Sequence, residues 1–214
     1  SEGGLETKNA FSTGLNELAA GKDNYLILGK DKCGKTSLLK RIQIDCLINF
    51  SRNGKIPFYF DAKEYESKLD SNFELEQYVR NYFGINKAKV QQILSSKDFL
   101  LLIDNYSSDS AIGSYLDEFL NKYPDIKYIA CSEFNLSRTV DSFQFGNSVY
   151  EKLFFHDLRR KEIIAYTDKR LSQNHKREEI QEKIIQLCKQ LELPLNYWTV
   201  SLLLLIHNKS TDSY

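Results

Sequence analysis

Short unbroken apolar runs alternate along this chain with longer stretches whose apolar residues recur every three or four positions. YLILG (25–29), IPFYFDA (56–62), FLLLIDNY (99–106), KYIACSE (127–133) and KLFFHDL (152–158) are runs of the first kind. Their length and flanking turn residues predict strands, and their apolar character on both alternating faces predicts that both faces are covered. Between them, KTSLLKRIQIDCLINF (35–50) sets Leu38, Leu39, Ile42, Cys46 and Leu47 at helical spacing, and 73–83, 87–94 and 111–122 read the same way. SRNG at 51–54 predicts a turn, and Pro124-Asp125 a helix stop. Beyond about residue 159 only the helical period remains, over 161–171, 177–191 and 198–207. Strands alternating with helices predict an α/β fold of three layers around a parallel sheet, over 1–158. A small helical subdomain is expected over 159–214.

Composition changes this picture little. The chain has 214 residues, 42% hydrophobic and 27% charged, enough for one domain with a substantial core and a smaller appendage. Lys+Arg and Asp+Glu both number 29, so nothing in the total charge points to nucleic acid or an anionic membrane. RRKE at 159–162 and HKREE at 175–179 mix signs at helical spacing and read as solvated helix faces. VSLLLLI (200–206) is too short to span a bilayer, and no signal-peptide pattern precedes the first strand. Cys33, Cys46, Cys131 and Cys188 form no CxxC pair and read as reduced thiols of a cytoplasmic protein. His156, His175 and His207 have no metal-ligand spacing. The chain begins SEGG and contains no methionine, which leads us to expect a piece of a longer protein with effector and sensor regions outside it.

The chemistry concentrates after the first strand. Gly29-Lys30-Asp31-Lys32-Cys33-Gly34-Lys35-Thr36 fits G-x-x-x-x-G-K-[ST], the phosphate-binding P-loop. Glycines let the backbone curl so that its N–H groups converge on phosphate oxygens, and the following helix adds its free N–H groups and dipole. Lys35 is expected to reach the β- and γ-phosphates, Thr36 to offer a hydroxyl to Mg²⁺, and Ser37 to hydrogen-bond nearby. In LLLID (100–104), an acidic residue at the tip of an apolar strand suits the Walker B role, its carboxylate holding Mg²⁺ through a coordinated water beside Thr36. Where many P-loop ATPases carry a second acidic residue to polarise the attacking water, this chain has Asn105. An amide orients a water but does not take its proton at neutral pH, so slow hydrolysis is expected. Glu133 and Asp61, each ending a predicted strand, are alternative bases between which spacing does not choose.

These motifs stand in an order that resembles the STAND class of P-loop ATPases, most closely its NACHT-type branch. The likeness rests on GKDKCGKTSLL, LLLIDN, YIACSE, LFFHDLRRKEIIAYTDKRL and LPLNYWTVSLLLLI, spanning roughly residues 12–207. It implies a sheet of order 5-1-4-3-2 and a switch that is closed with ADP and assembles with ATP to activate an attached effector. It also implies a phosphate-sensing role for Ser132 and an adenine contact from Pro194. The sequence departs from the pattern at Glu133, which occupies the family's arginine position. Arg138 is the nearest replacement cation.

Three functions therefore compete. The first is a slowly hydrolysing ATP/ADP switch that self-associates through the full-length protein, in a prokaryotic defence or transcriptional setting by resemblance. The second is a module that holds nucleotide without hydrolysing it. The third is a small-molecule or nucleoside kinase, for which Arg159 and Arg160 are the candidate lid arginines.

Overall fold

The computed structural model describes residues 14–70, 73–133, 149–171 and 176–211. Strands β1 (Asn24–Gly29), β2 (Ile56–Asp61), β3 (Phe99–Tyr106), β4 (Lys127–Glu133) and β5 (Tyr150–Phe154) form one five-stranded sheet. Its order is β2-β3-β4-β1-β5 and every neighbouring pair is parallel, which is the order 5-1-4-3-2 read from the other edge.

Both faces are covered, as the unbroken apolar strands require. On one face Leu26, Leu28, Phe58, Phe60, Phe99, Leu101 and Ile103 pack against α5 (Leu75–Phe83), α6 (Lys87–Leu94) and α7 (Ala111–Lys122). On the other, Tyr25, Ile27, Leu100, Leu102, Ile129 and Cys131 pack against α1 (Leu15–Ala20) and α2 (Lys35–Ile48). Leu100, Leu101, Leu102 and Ile103 are all 0% exposed. Burial of such side chains stabilises by about 1.5–3 kcal/mol each, so β3 anchors the core and fixes the position of whatever follows it. Beyond the sheet, α8 (Arg160–Asp168), α9 (Arg177–Gln190) and α10 (Tyr197–Thr211) share a separate cluster that includes Ile163, Ile180, Ile184, Cys188, Val200 and Leu204. Among the described residues no helix is long and apolar enough to cross a membrane.

The structure departs from the sequence expectations mainly at element ends. The turn expected at 51–54 is a further helical turn, α3 (Phe50–Asn53), which Gly54 closes. A short helix not anticipated, α4 (Ala62–Glu66), follows β2 directly because the Asp61 carboxylate accepts a hydrogen bond from the Lys63 N–H and caps it. The last strand begins two residues earlier and ends four residues earlier than the run 152–158 suggested, since Tyr150 pairs with Asn24 and pairing ends at Phe154. α1 was also unannounced, its six residues being too few for a helical period to emerge.

One buried charge lies at the far end of the sheet. Lys127 is 5% exposed, and its ammonium donates to the Gly21 carbonyl and lies 5.5 Å from the Tyr25 ring centroid. Burial, aided by the Lys55 charge, pushes it down from 10.5 to about 8. The unfolded chain therefore holds the proton more tightly, and folding carries a penalty of about 3 kcal/mol that is complete below pH 8 and fades as pH rises toward 10.5. Lys127→Met, which also loses the Gly21 contact, is expected to raise the melting midpoint at pH 7 by about 3–6 °C. Calorimetry across pH 7–10 should show that margin shrinking. A variant less stable than wild type at every pH would mean that the Gly21 and Tyr25 contacts outweigh desolvation.

Candidate functional site

The loop between β1 and α2 is shaped by two glycines. A Cβ at Gly29 would lie 2.6 Å from Cys33 Sγ and 2.9 Å from Phe155 Cβ, so this position admits no side chain without displacing the loop. Gly34 has φ 111°, a backbone that other residues adopt only under strain, and it turns the chain into α2. No side chain caps that helix, which leaves first-turn N–H groups for an external acceptor. Lys35, the first helical residue, curls back so that its ammonium donates to the carbonyls of Gly29 (2.8 Å) and Lys30 (2.7 Å). Cys33 is half-buried with Sγ 3.8 Å from that ammonium; burial pushes its thiol up and Lys35 opposes the shift. Thr36 and Ser37 are exposed on the first turn of α2.

At the tip of β3 the ladder changes step. Ile103 faces Ala130 and Tyr106 faces Ser132, so β3 uses three steps where β4 uses two. Asn105, at φ 54°, carries the extra residue, in the left-handed region that asparagine tolerates better than most. The bulge has a consequence for every side chain after it. Leu100, Leu102 and Asp104 share the face that packs on α2, while Tyr106, which unbroken alternation would set on that same face, joins the opposite core with Phe99, Leu101 and Ile103.

Asp104 is 1% exposed. Its Oδ2 accepts from the Tyr59 hydroxyl (2.9 Å) and its Oδ1 from the Asn105 N–H (3.0 Å). Burial first, then the bond to Asp104, raises Tyr59 well above the ordinary phenol value, so it stays protonated as a donor. No ion pair to Asp104 is found among the described residues. Burial also pushes up the Cys131 thiol on β4, with Asp104 adding to the shift and Lys35 opposing it. A buried carboxylate without a cation beside it is costly, and a hard divalent ion is the partner its oxygens suit. Among the described residues no group of three His, Cys, Asp or Glu could cage a metal, so Asp104 fits a magnesium ion that is held mainly by phosphate oxygens and water.

The parallel register sets Asp61 of β2 directly beside Asp104. Asn105 bridges them: its N–H goes to Asp104, and its Nδ2 donates to Asp61 Oδ1 at 2.9 Å. A cleft of about 490 Å³ opens in front, lined by Asp31 and Lys35 from the loop, Asn105 from β3 and Ser132 and Glu133 from β4. Lys63, Glu66, Ser107 and Ser110 complete its polar wall. Ser132 is buried and its hydroxyl donates to the Tyr106 carbonyl (2.7 Å), holding the bulge in place. Glu133 is exposed opposite Gly29, and Arg138 lies outside the described residues.

Pro194 is not in this cleft. It lines a neighbouring one of about 340 Å³ with Lys30, Asp157, Cys188, Glu192 and Leu195. The helical unit is tied to the loop there. Lys30 pairs with Asp157 (3.2 Å), the Lys32 ammonium sits 4.9 Å from the Trp198 ring, and the Leu158 N–H donates to the Leu195 carbonyl. Both lysine contacts are solvent-exposed and contribute little to stability. Tyr59, Asp157 and Trp198 were not singled out from sequence for these contacts. For Tyr59 the signal existed, since alternation in IPFYFD sets it on the same face as Asp61.

No protein-family model and no curated protein matches the chain. Solved structures do. The structure of DnaA from Aquifex aeolicus bound to AMPPCP is similar at 17% identity with a TM-score of 0.54, and a DNA replication initiation factor at 16% and 0.52. Each alignment covers 87% of this chain and 55% of the other, so the chain spans little more than half the length of these neighbours. At such identities the likeness is one of fold. That fold is a three-layer α/β arrangement around a five-stranded parallel sheet, with helices beyond it.

Proposed function

We propose that this chain is an ATP- and ADP-binding, slowly hydrolysing switch domain of the STAND type, close to its NACHT branch. The observation that carries the reading is the shape of the loop: two glycines form it, an uncapped helix lies behind it, and Lys35 curls onto loop carbonyls beside a polar cleft. In this reading Gly29 to Ser37 cradle the phosphates and Lys35 leaves its carbonyls for the β- and γ-oxygens. Thr36 and Asp104 hold Mg²⁺, which when bound neutralises charge building up on the phosphates. Ser132 and Glu133 border the γ-phosphate side, and Pro194 meets adenine in the second cleft.

Residues 1–158 would then form the nucleotide-binding part and 159–214 the helical part. Lys32 connects them through Trp198, and Lys30 holds Asp157 just ahead of the helical part, so an occupied loop changes what both residues touch. That link supports coupling of nucleotide state to self-association and to an effector elsewhere in a full-length protein, with prokaryotic defence as the setting. The non-hydrolysing alternative is favoured by Asn105 and by Glu133, which stands where the family carries an arginine. The kinase alternative is weakened at Arg160, whose guanidinium is tied to Glu182 of α9.

Trp198 is the only tryptophan, which makes the test simple. Its fluorescence should change saturably with MgATP and with ADP as Lys32 turns toward phosphate, and the full-length protein should sediment faster with a non-hydrolysable ATP analogue than with ADP. No nucleotide bound by fluorescence or calorimetry removes the reading. Binding without a size change removes the assembly half of it.

A further inference from the structure

We propose that Asp61 is the positioning residue for nucleotide hydrolysis, acting through Asn105. The inference rests on the nucleotide-hydrolysing reading above and concerns how this chain manages without a second acidic residue on β3. Asp61 and Asp104 stand side by side at the tips of paired strands, yet they are held differently. Asp104 is buried and takes its bonds from Tyr59 and the Asn105 backbone. Asp61 is half-buried, and one of its oxygens receives both the Lys63 N–H (3.1 Å) and the Asn105 side-chain amide (2.9 Å).

That second bond fixes which way the amide points. With Nδ2 on a carboxylate, a flipped amide would set its own oxygen against a negative oxygen, so one orientation is strongly preferred. The Asn105 Oδ1 therefore faces away from Asp61, and Asn105 is a wall of the cleft that also holds Lys35. The bulge and the left-handed backbone are what bring the side chain within reach of β2. A water in the cleft donates a hydrogen bond to Oδ1 and turns a lone pair toward the γ-phosphorus. Its oxygen bonds to phosphorus as the bridging P–O bond breaks, and that electron pair leaves with ADP. The water's proton goes to the phosphate product, because an amide accepts a hydrogen bond but not the proton. Slow turnover follows from a neutral acceptor held in the right place.

The exchange of partners tests this. Asp61→Asn keeps a good cap for α4 but loses the enforced orientation, and should slow single-turnover hydrolysis of saturating MgATP roughly tenfold with nucleotide affinity unchanged. Asn105→Asp alone sets two carboxylates against each other and should not exceed wild type. The double variant Asp61→Asn with Asn105→Asp restores the bond in reverse and places a carboxylate on the cleft. It should hydrolyse faster than wild type by roughly tenfold or more at unchanged nucleotide affinity. The inference is overturned if Asp61→Asn binds and hydrolyses as wild type does, or if the double variant is no faster than Asn105→Asp alone. A wild type that binds nucleotide without measurable turnover supports the inference if the double variant gains hydrolysis and overturns it if it does not. Failure of the underlying reading looks different, because wild type would then bind no nucleotide in the Trp198 titration.

Discussion

Replacing Lys35 with alanine is expected to weaken nucleotide binding roughly hundredfold, the loss of charge-assisted bonds to two phosphate groups. The empty protein should barely notice. Lys35 is only partly buried, and its ammonium bonds to carbonyls that solvent can reach in its place. The variant should therefore melt within about 1 kcal/mol of wild type while losing its nucleotide response. Lys35→Arg is expected to fail nearly as badly, because a planar guanidinium does not fit a cradle that now holds a compact ammonium between the Gly29 and Lys30 carbonyls. Calorimetric titration with MgATP checks both. Wild-type affinity in Lys35→Ala would mean that the loop's resemblance to a phosphate cradle is accidental.

Asp104→Asn should separate function from stability more sharply. The side chain is 1% exposed and the substitution is nearly isosteric, but it removes the charge that fits magnesium. Turnover is expected to fall at least roughly hundredfold, and ATP affinity should cease to depend on Mg²⁺. Two effects on the empty protein oppose each other. A buried charge is gone, which stabilises, and an amide offers one acceptor oxygen to two donors, Tyr59 and the Asn105 N–H, which costs about 1 kcal/mol. A net change within about 1 kcal/mol follows. The Tyr59 phenol should also titrate closer to its usual range, since one of the groups that raises it has lost its charge. Ultraviolet titration reads that shift directly. Unchanged hydrolysis would remove Asp104 from the metal site.

Much of this molecule is written in local patterns. The run FLLLI had to be a strand covered on both faces because five consecutive apolar residues leave no side for water, and it is buried throughout in β3. The spacing Leu39, Ile42, Cys46 produced the buried stripe of α2. Errors fell where local rules are weakest. SRNG reads as a turn from composition, yet the chain coils once more before Gly54 stops it, since Phe50 to Asn53 need only one helical turn and no core. Asp61 reads as a strand end, and its capping of a new helix depends on the backbone that follows.

By itself the sequence determined the strands, the glycine-shaped loop with its lysine, and the acidic residue at the tip of β3, because each depends on residues within a few positions of one another. Only the tertiary structure decided what surrounds them. Parallel pairing brought Asp61 beside Asp104 across 43 positions of chain, a bulge turned Asn105 toward β2, and Tyr59 was given a carboxylate to hold. Lys30 and Lys32 found Asp157, just ahead of α8, and Trp198, on α10, more than a hundred residues later. Such contacts depend on register and strand order, and those are set by how the whole sheet buries its two faces, a sum over many side chains that no short stretch contains.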